Sequence, residues 1–386
     1  MNETFEFVLQ KLPRPENFQQ KLEGVTPSQI DQILNSDNIN AQGFMALLSP
    51  AAKAGLENMA QAAREKTLRH FGRVIQLFTP LYISNHCLNH CLYCGFSARN
   101  QLKKRKLTLA EIKDEAKAIS ATGLRHILLL TGDSPGISSL DYIASAVRVL
   151  SGYFSSIGLE INALAAQEYQ SLIEAGADSL TIYQETYDRP LYGLLHPAGP
   201  KRDFAFRLNA PQRGAEAGFR AVNVGPLLGL HSCPPYDVFA TGIHADWLRR
   251  KYPHVEVGLS LPRIRPCLNP EDDQAFLPTP LNDAEFVQYM LALRLFLPMS
   301  SISISTREAA PMRDNLVKLG ITRLSAGVCT AVGGHSGEQK DSPQFEISDP
   351  RSVEQMAAAI KNLGYQPVFK DWEPMTPCGQ PEDRHV

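Results

Sequence analysis

Three cysteines, Cys87, Cys91 and Cys94, spaced as Cys-x3-Cys-x2-Cys, are the strongest chemical signal in this 386-residue chain. In a reducing compartment, clustered cysteines are more suited to holding a metal than to pairing. Three thiolates on one short loop can meet three irons of a cubane 4Fe–4S cluster. The fuller pattern uses four cysteines, so a set of three leaves one iron open to a ligand that is not protein. His86 and His90 interleave with the cysteines, which also allows a Cys₃His zinc tetrahedron. Most zinc modules add a second Cys/His pair about a dozen residues away, and none follows here. Bystander thiols are the third reading. The other four cysteines, Cys233, Cys267, Cys329 and Cys378, are scattered and read as small buried or loop residues.

The elements that must position this loop follow from the hydrophobic pattern. Apolar strand-like runs alternate with amphipathic stretches from residue 74 onward. The runs are Val74 to Ser84, His126 to Leu130, Leu159 to Leu164, Ser179 to Tyr183, Ala221 to Leu228, Val255 to Leu261, Ser301 to Ser305 and Thr322 to Ser325. Helical patterns lie between them over Leu109 to Ser120, Tyr142 to Leu150, Ala166 to Ala175 and Ala284 to Phe296. Eight strand candidates, each followed by a helix or a helix-sized gap, predict an α/β fold of the (β/α)₈ TIM-barrel type at its usual size of about 250 residues. A doubly wound open sheet is the competing arrangement, because strand order is invisible to periodicity. In a barrel, the cysteine loop after the first strand lies at the C-terminal face, where such folds place their chemistry.

This reading divides the chain into a helical N-terminal extension (1–72), the barrel (73–330) and a C-terminal extension (331–386) that closes it. The extension contains one more amphipathic helix, Arg351 to Leu363. Residues 364–386 read as a Pro-rich tail, with a disordered end at Glu382 to Val386. Lys and Arg total 38 against 40 Asp and Glu, a balance that argues against gripping nucleic acid or an anionic membrane. No apolar run approaches the roughly 18 residues that span a bilayer. Met1-Asn2-Glu3 is acidic where a secretory signal is basic. A cytoplasmic protein is expected.

The sequence around the cysteines resembles the radical S-adenosylmethionine (SAM) superfamily. Several segments narrow the resemblance to its aromatic amino acid lyases, over roughly residues 70–373. They are Leu81-Tyr82-Ile83-Ser84-Asn85, Cys94-Gly95-Phe96-Ser97, Tyr183-Gln184-Glu185-Thr186-Tyr187 and Gly199-Pro200-Lys201. Pro262-Arg263-Ile264-Arg265-Pro266, Ser305-Thr306-Arg307-Glu308 and Lys370-Asp371-Trp372 complete the set. The pattern is most like the tyrosine-cleaving branch that serves thiamine biosynthesis. The resemblance implies a 4Fe–4S cluster on Cys87, Cys91 and Cys94, whose open iron chelates SAM. It implies reductive cleavage of SAM and hydrogen abstraction from the amino group of L-tyrosine. Breakage of the Cα–Cβ bond then gives 2-iminoacetate (dehydroglycine) and p-cresol.

It also implies roles for single residues. Gly132-Asp133 stands where the family carries Gly-Glu and meets the SAM ammonium. The Asp side chain is one methylene shorter, and a helix N-cap is its structural alternative. Glu185 and Arg207 match positions on the SAM ribose and carboxylate, with Arg suited to a carboxylate by its two-pronged fork. Tyr82 matches a substrate-contacting position, or else is core. Arg307 matches the arginine that takes the substrate carboxylate, and Ser325 the hydroxyl beside it. Arg263 and Arg265 either bind substrate or pair with carboxylates. Lys103-Lys104-Arg105-Lys106 is a solvated loop, with docking of an acidic electron donor as the alternative.

The partners implied are flavodoxin or ferredoxin as donor and a thiazole synthase subunit. Two rivals remain: the tyrosine lyase of hydrogenase maturation, and a non-catalytic cluster- or zinc-bearing assembly partner. The maturation enzyme holds a second cluster on C-terminal cysteines. Here Cys378 is the only cysteine after Cys329, so a single cluster is expected, without carbon monoxide or cyanide as products.

Overall fold

The structure is a computed structural model and describes residues 4–265, 279, 281–337, 343–370 and 372–373. Eight parallel strands follow one another around a closed barrel. They are β1 (Val74–Ser84), β2 (His126–Thr131), β3 (Ser156–Glu160), β4 (Ser179–Glu185), β5 (Ala221–Pro226), β6 (Glu256–Ser260), β7 (Ile302–Ile304) and β8 (Arg323–Ser325). β1 closes the ring by pairing with β8 on one side and β2 on the other. The predicted barrel is therefore the fold, and the open sheet is excluded.

β3 departs from the expected Leu159–Leu164. Its first residues, Ser156-Ile157-Gly158, have turn-like composition but tertiary reasons to be strand. The buried Asp178 carboxylate accepts hydrogen bonds from the Ser156 hydroxyl and, at 2.7 Å, from the Ile157 amide. A Cβ at Gly158 would lie 2.9 Å from Ser179 Oγ of the neighbouring strand, so the close approach needs glycine. The ladder ends at Glu160, three residues after Ile157, and the chain then loops to the helix Ala166–Glu174.

Two of the elements that the sequence did not single out bear on how the barrel is built. The helix Pro234–Lys251 is the longest among the described residues, yet it has no apolar stripe. The reason is burial on two faces. N-terminal helices cover its outer side, with Phe18 against Phe239, Phe5 stacked on His244 at 3.9 Å, and Phe44 pressed close to Gly242. Phe44 also stacks on Phe296 at 4.4 Å, and the helix Asp283–Phe296 is likewise buried on nearly every side. The second element is a short strand, β9 (Gln366–Val368), inside the stretch expected to be tail. It pairs with Val74–Gln76 of β1, on the edge that β2 occupies higher up. Gln76 pairs with both Arg323 and Val368, which places β8 and β9 on opposite edges. Among the described residues no helix is long and apolar enough to cross a membrane.

Candidate active site

All the strands run parallel, so their C-terminal ends share one face and surround a cavity. Its lining includes Tyr82 from β1, Cys87, Cys91 and Cys94, Gly132 and Asp133 after β2, Glu185 from β4, Arg207, Arg307 after β7 and Ser325 of β8. Every site residue expected from the sequence thus faces one space. His86 and His90 are not in the lining.

The cysteine loop is held from below and from the side. Gly132 stands against it so closely that a Cβ would lie 2.3 Å from the His86 carbonyl oxygen and 3.1 Å from Cys87 Cβ. The Leu88 amide donates to the Asp133 carbonyl at 2.9 Å. The Asp133 carboxylate accepts from Asn89 Nδ2 at 2.6 Å, and Asn89 Oδ1 in turn accepts from the Lys201 amide at 2.8 Å. Gly199, at φ +95°, permits that contact, since a Cβ there would fall 2.5 Å from Asn89 Oδ1. Asp133 therefore anchors the loop as well as facing the cavity. We expect Gly132→Ala to overpack this junction, at about 1–3 kcal/mol. The measurements are a lowered denaturant midpoint and reduced iron uptake; unchanged values for both would show that the junction yields freely.

Glu185 sits on β4 at φ +71°, in the left-handed region that non-glycine residues rarely occupy. A break in the β4–β5 register puts it there, and Asp237 holds the bend by accepting from the Thr186 hydroxyl and, at 2.7 Å, from the Tyr187 amide. The Glu185 carboxylate is thereby presented to Lys201 at 2.5 Å and to Arg207 at 3.7 Å. These cations hold its carboxyl below the ordinary range despite burial. Arg207 donates Nε to the Tyr183 carbonyl at 2.8 Å.

On the opposite side, the Arg307 guanidinium lies 3.6 Å from the centroid of the Phe345 ring. Ser325 Oγ is buried and has no hydrogen-bond partner among the described residues. Its backbone carbonyl is fixed by the buried Arg313, itself paired with Asp349. The segment bearing Phe345 also carries Gln344, which accepts from the Tyr82 hydroxyl at 2.9 Å and approaches Cys94 Sγ at 3.8 Å. Arg263 turns out to be a structural ion pair with Glu308 and Asp283, while Arg265 lines the cavity. The basic run is largely spent internally. Lys104 donates to two backbone carbonyls, Arg105 pairs with Glu111, and Lys106 donates to Ile137 and covers the Tyr142 ring. Cys267 and Cys378 lie outside the described residues.

Comparison with known proteins settles the family. The 2-iminoacetate synthase of Escherichia coli is 36% identical over 353 residues, which cover 92% of this chain and 93% of that enzyme. The chain belongs to the 2-iminoacetate synthase family. It is a radical SAM enzyme and a carbon–carbon lyase. The 2-iminoacetate synthase of Salmonella typhimurium is 35% identical over the same proportions. The Radical SAM superfamily matches residues 81–232, and the Biotin and Thiamin Synthesis associated domain matches residues 260–366. The barrel runs through both, with β1–β5 in or entering the first, β7 and β8 within the second, and β6 and β9 meeting its two ends at Ser260 and Gln366. Among solved structures, the FeFe-hydrogenase maturase HydG from Carboxydothermus hydrogenoformans superposes with a TM-score of 0.86 at 29% identity, covering 95% of this chain and 86% of its own. Methylornithine synthase superposes at 0.70 with 21% identity and shares the fold.

Membership implies a 4Fe–4S cluster and SAM, and the residues fit both. Burial pushes the Cys87 thiol up to about 11 and the Cys91 thiol higher still. Thiolates therefore form there only against a cationic partner such as a metal. Among the described residues no three Cys, His, Asp or Glu groups are close enough to share one ion. Three thiols that line one cavity without converging on a single ion suit a group that offers each a separate iron.

Asn89, Lys201, Gln344, Phe345 and Glu160 also line this cavity and were not singled out from the sequence. Lys201 had a signal in Gly199-Pro200-Lys201, and Asn89 lies inside the cysteine loop. Gln344 and Phe345 sit in a loop with no pattern around them.

Proposed function

We propose that this enzyme cleaves the Cα–Cβ bond of L-tyrosine to 2-iminoacetate and p-cresol, supplying the thiazole of thiamine in the cytoplasm. The observation that carries the proposal is the pairing, across one cavity, of the three-thiol wall with Arg307 and the unpartnered Ser325 hydroxyl. That is a metal site facing a carboxylate site. When bound, the cluster and SAM supply the one-electron chemistry that starts hydrogen abstraction.

The chain's own residues do the rest. Cys87, Cys91 and Cys94 hold the cluster and leave its fourth iron to SAM. Asp133 meets the SAM ammonium at the loop it anchors. Arg207 takes the SAM carboxylate and Glu185 the ribose. Leu227 and Ile264, from an apolar patch beside them, offer a surface for the nucleobase. Arg307 and Ser325 fix the substrate carboxylate, and Tyr82 packs against the substrate, its hydroxyl held by Gln344. Phe345 and Gln344 roof the cavity and keep water from a reactive radical.

The thiamine role is favoured over the hydrogenase-maturation role by the comparison itself. Identity to 2-iminoacetate synthase is higher, and it extends over 93% of that enzyme, against 86% of the HydG chain. A flavodoxin or ferredoxin donor and a thiazole synthase subunit complete the reading. The test is anaerobic reconstitution followed by product analysis with tyrosine, SAM and a reductant. Expected are p-cresol, glyoxylate from hydrolysed 2-iminoacetate, and about four irons per chain, the content of one cubane. An iron content near twice that, or trapped carbon monoxide, would move the assignment to the maturation type. Absence of 5′-deoxyadenosine would leave only a scaffold.

A further inference from the structure

Three carboxylates line the cavity: Asp133, Glu160 and Glu185. Two are already engaged, Asp133 by Asn89 and Glu185 by Lys201 and Arg207. Glu160 has no hydrogen-bond or ion-pair partner among the described residues. It is the last residue of β3, so it faces the same space as the ends of β1 and β4. The charged and titratable groups around it are Tyr82 on β1, Tyr183 and Glu185 on β4, Lys201 and Arg207 beyond β4, and Arg307 after β7. Glu160 is half-buried with its carboxylate open to the cavity, and a carboxylate drawn away from bulk water without a partner is costly. Such a group is kept where a ligand completes it.

An amino-acid substrate supplies what is missing. With its carboxylate on Arg307, its ammonium must lie near an anion in the same cavity, and Glu160 is the one that is not already used. We infer that Glu160 is a catalytic residue that binds the substrate ammonium and accepts one proton from it before the radical step. The inference rests on the tyrosine-lyase reading above. In balance, R–NH₃⁺ and the Glu160 carboxylate become R–NH₂ and the Glu160 carboxylic acid; no electrons move. Hydrogen-atom removal from a neutral amine leaves a neutral aminyl radical. From an ammonium it would leave a radical cation, so the proton has to go first.

The electrostatics agree with this role. Burial and the nearby Glu185 raise the Glu160 carboxyl to about 7, against the opposing pull of Arg307, Arg207 and Lys201. A base with that affinity exchanges a proton near neutral pH. Because it must be ionised to accept, turnover falls as pH drops through that value.

The experiment compares wild type with Glu160→Gln and Glu160→Asp, all reconstituted to equal iron content. Equilibrium dialysis measures binding of tyrosine and of its deamino analogue, 3-(4-hydroxyphenyl)propanoate. Wild type is expected to prefer tyrosine at least tenfold; Glu160→Gln is expected to lose that preference and to form p-cresol at least a hundredfold more slowly. Its residual rate should climb with pH toward 9, where solvent deprotonates the amine, while Glu160→Asp recovers part of the wild-type rate. Should Glu160→Gln fail to fold, Glu160→Asp and the wild-type preference still decide. Loss of discrimination against phenylalanine instead of the deamino acid would place Glu160 at the phenol and overturn the assignment. P-cresol from Glu160→Gln within twofold of wild type would overturn it alone. Wild type without p-cresol from tyrosine would overturn the substrate reading and this assignment with it.

Discussion

Alanine at Cys87, Cys91 or Cys94, singly, is expected to reduce SAM cleavage to background. The cavity lining contains these three cysteines and, among the described residues, no fourth that could substitute. On the proposed assignment each thiolate serves its own iron, so losing one cannot be shared out among the others. The loop itself should survive, because its fixings are the Asn89–Asp133 bond and the backbone bonds of Leu88 and Ala98 rather than the sulfurs. The variants are therefore expected to fold normally, with wild-type circular dichroism, while iron content and 5′-deoxyadenosine are lost together. Retained 5′-deoxyadenosine in any one variant would remove that cysteine from the ligand set.

The next largest effect belongs to Arg307→Ala. A cavity-lining, half-buried guanidinium such as Arg307 that meets a carboxylate loses about 2–5 kcal/mol on truncation, part of it from the partner charge left unpaired. That corresponds to a KM for tyrosine raised from about thirtyfold to a few thousandfold. Iron content should not change, since the Arg307 side chain touches Phe345 and the Arg263 carbonyl, with no recorded contact to the cysteines. Slow 5′-deoxyadenosine formation without tyrosine should persist. An unchanged KM would take Arg307 out of the substrate site.

How much of this was legible in the sequence follows from range. The cysteine motif is local, so its place after β1 could be read directly, and the barrel followed from strands repeating with helices between them. Helix Pro234–Lys251 could not be read, because an amphipathic stripe exists only when one face meets water, and here the N-terminal helices cover that face. β9 is three residues with a proline, too short for alternation to register. Glu160 was hidden by the strand limits. With β3 drawn over Leu159–Leu164 it fell inside the strand rather than at its catalytic end. The Asp178 bonds that start the strand three residues early are tertiary, and no window along the chain contains them. Gln344 and Phe345 follow β8 and reach Tyr82 on β1 and Arg307 after β7, residues far away in the chain, which local pattern does not encode.

The seat of β9 on β1 also constrains synthesis. β1 meets β2 soon after both leave the ribosome, but Gln76 waits for Arg323 and Val74 for Gln366. Pairings that span well over half the chain carry the largest loop-closure entropy and form late in folding. Meanwhile the cysteine loop, directly after β1, is already made and faces an unfinished wall. Its roof, Gln344 and Phe345, emerges only just before β9. Nascent chains should therefore hold three exposed, unshielded thiols for most of translation, open to cluster delivery and equally open to oxidation. In the cell, yield of the iron-loaded protein would then depend on oxygen during synthesis as well as on oxygen afterwards.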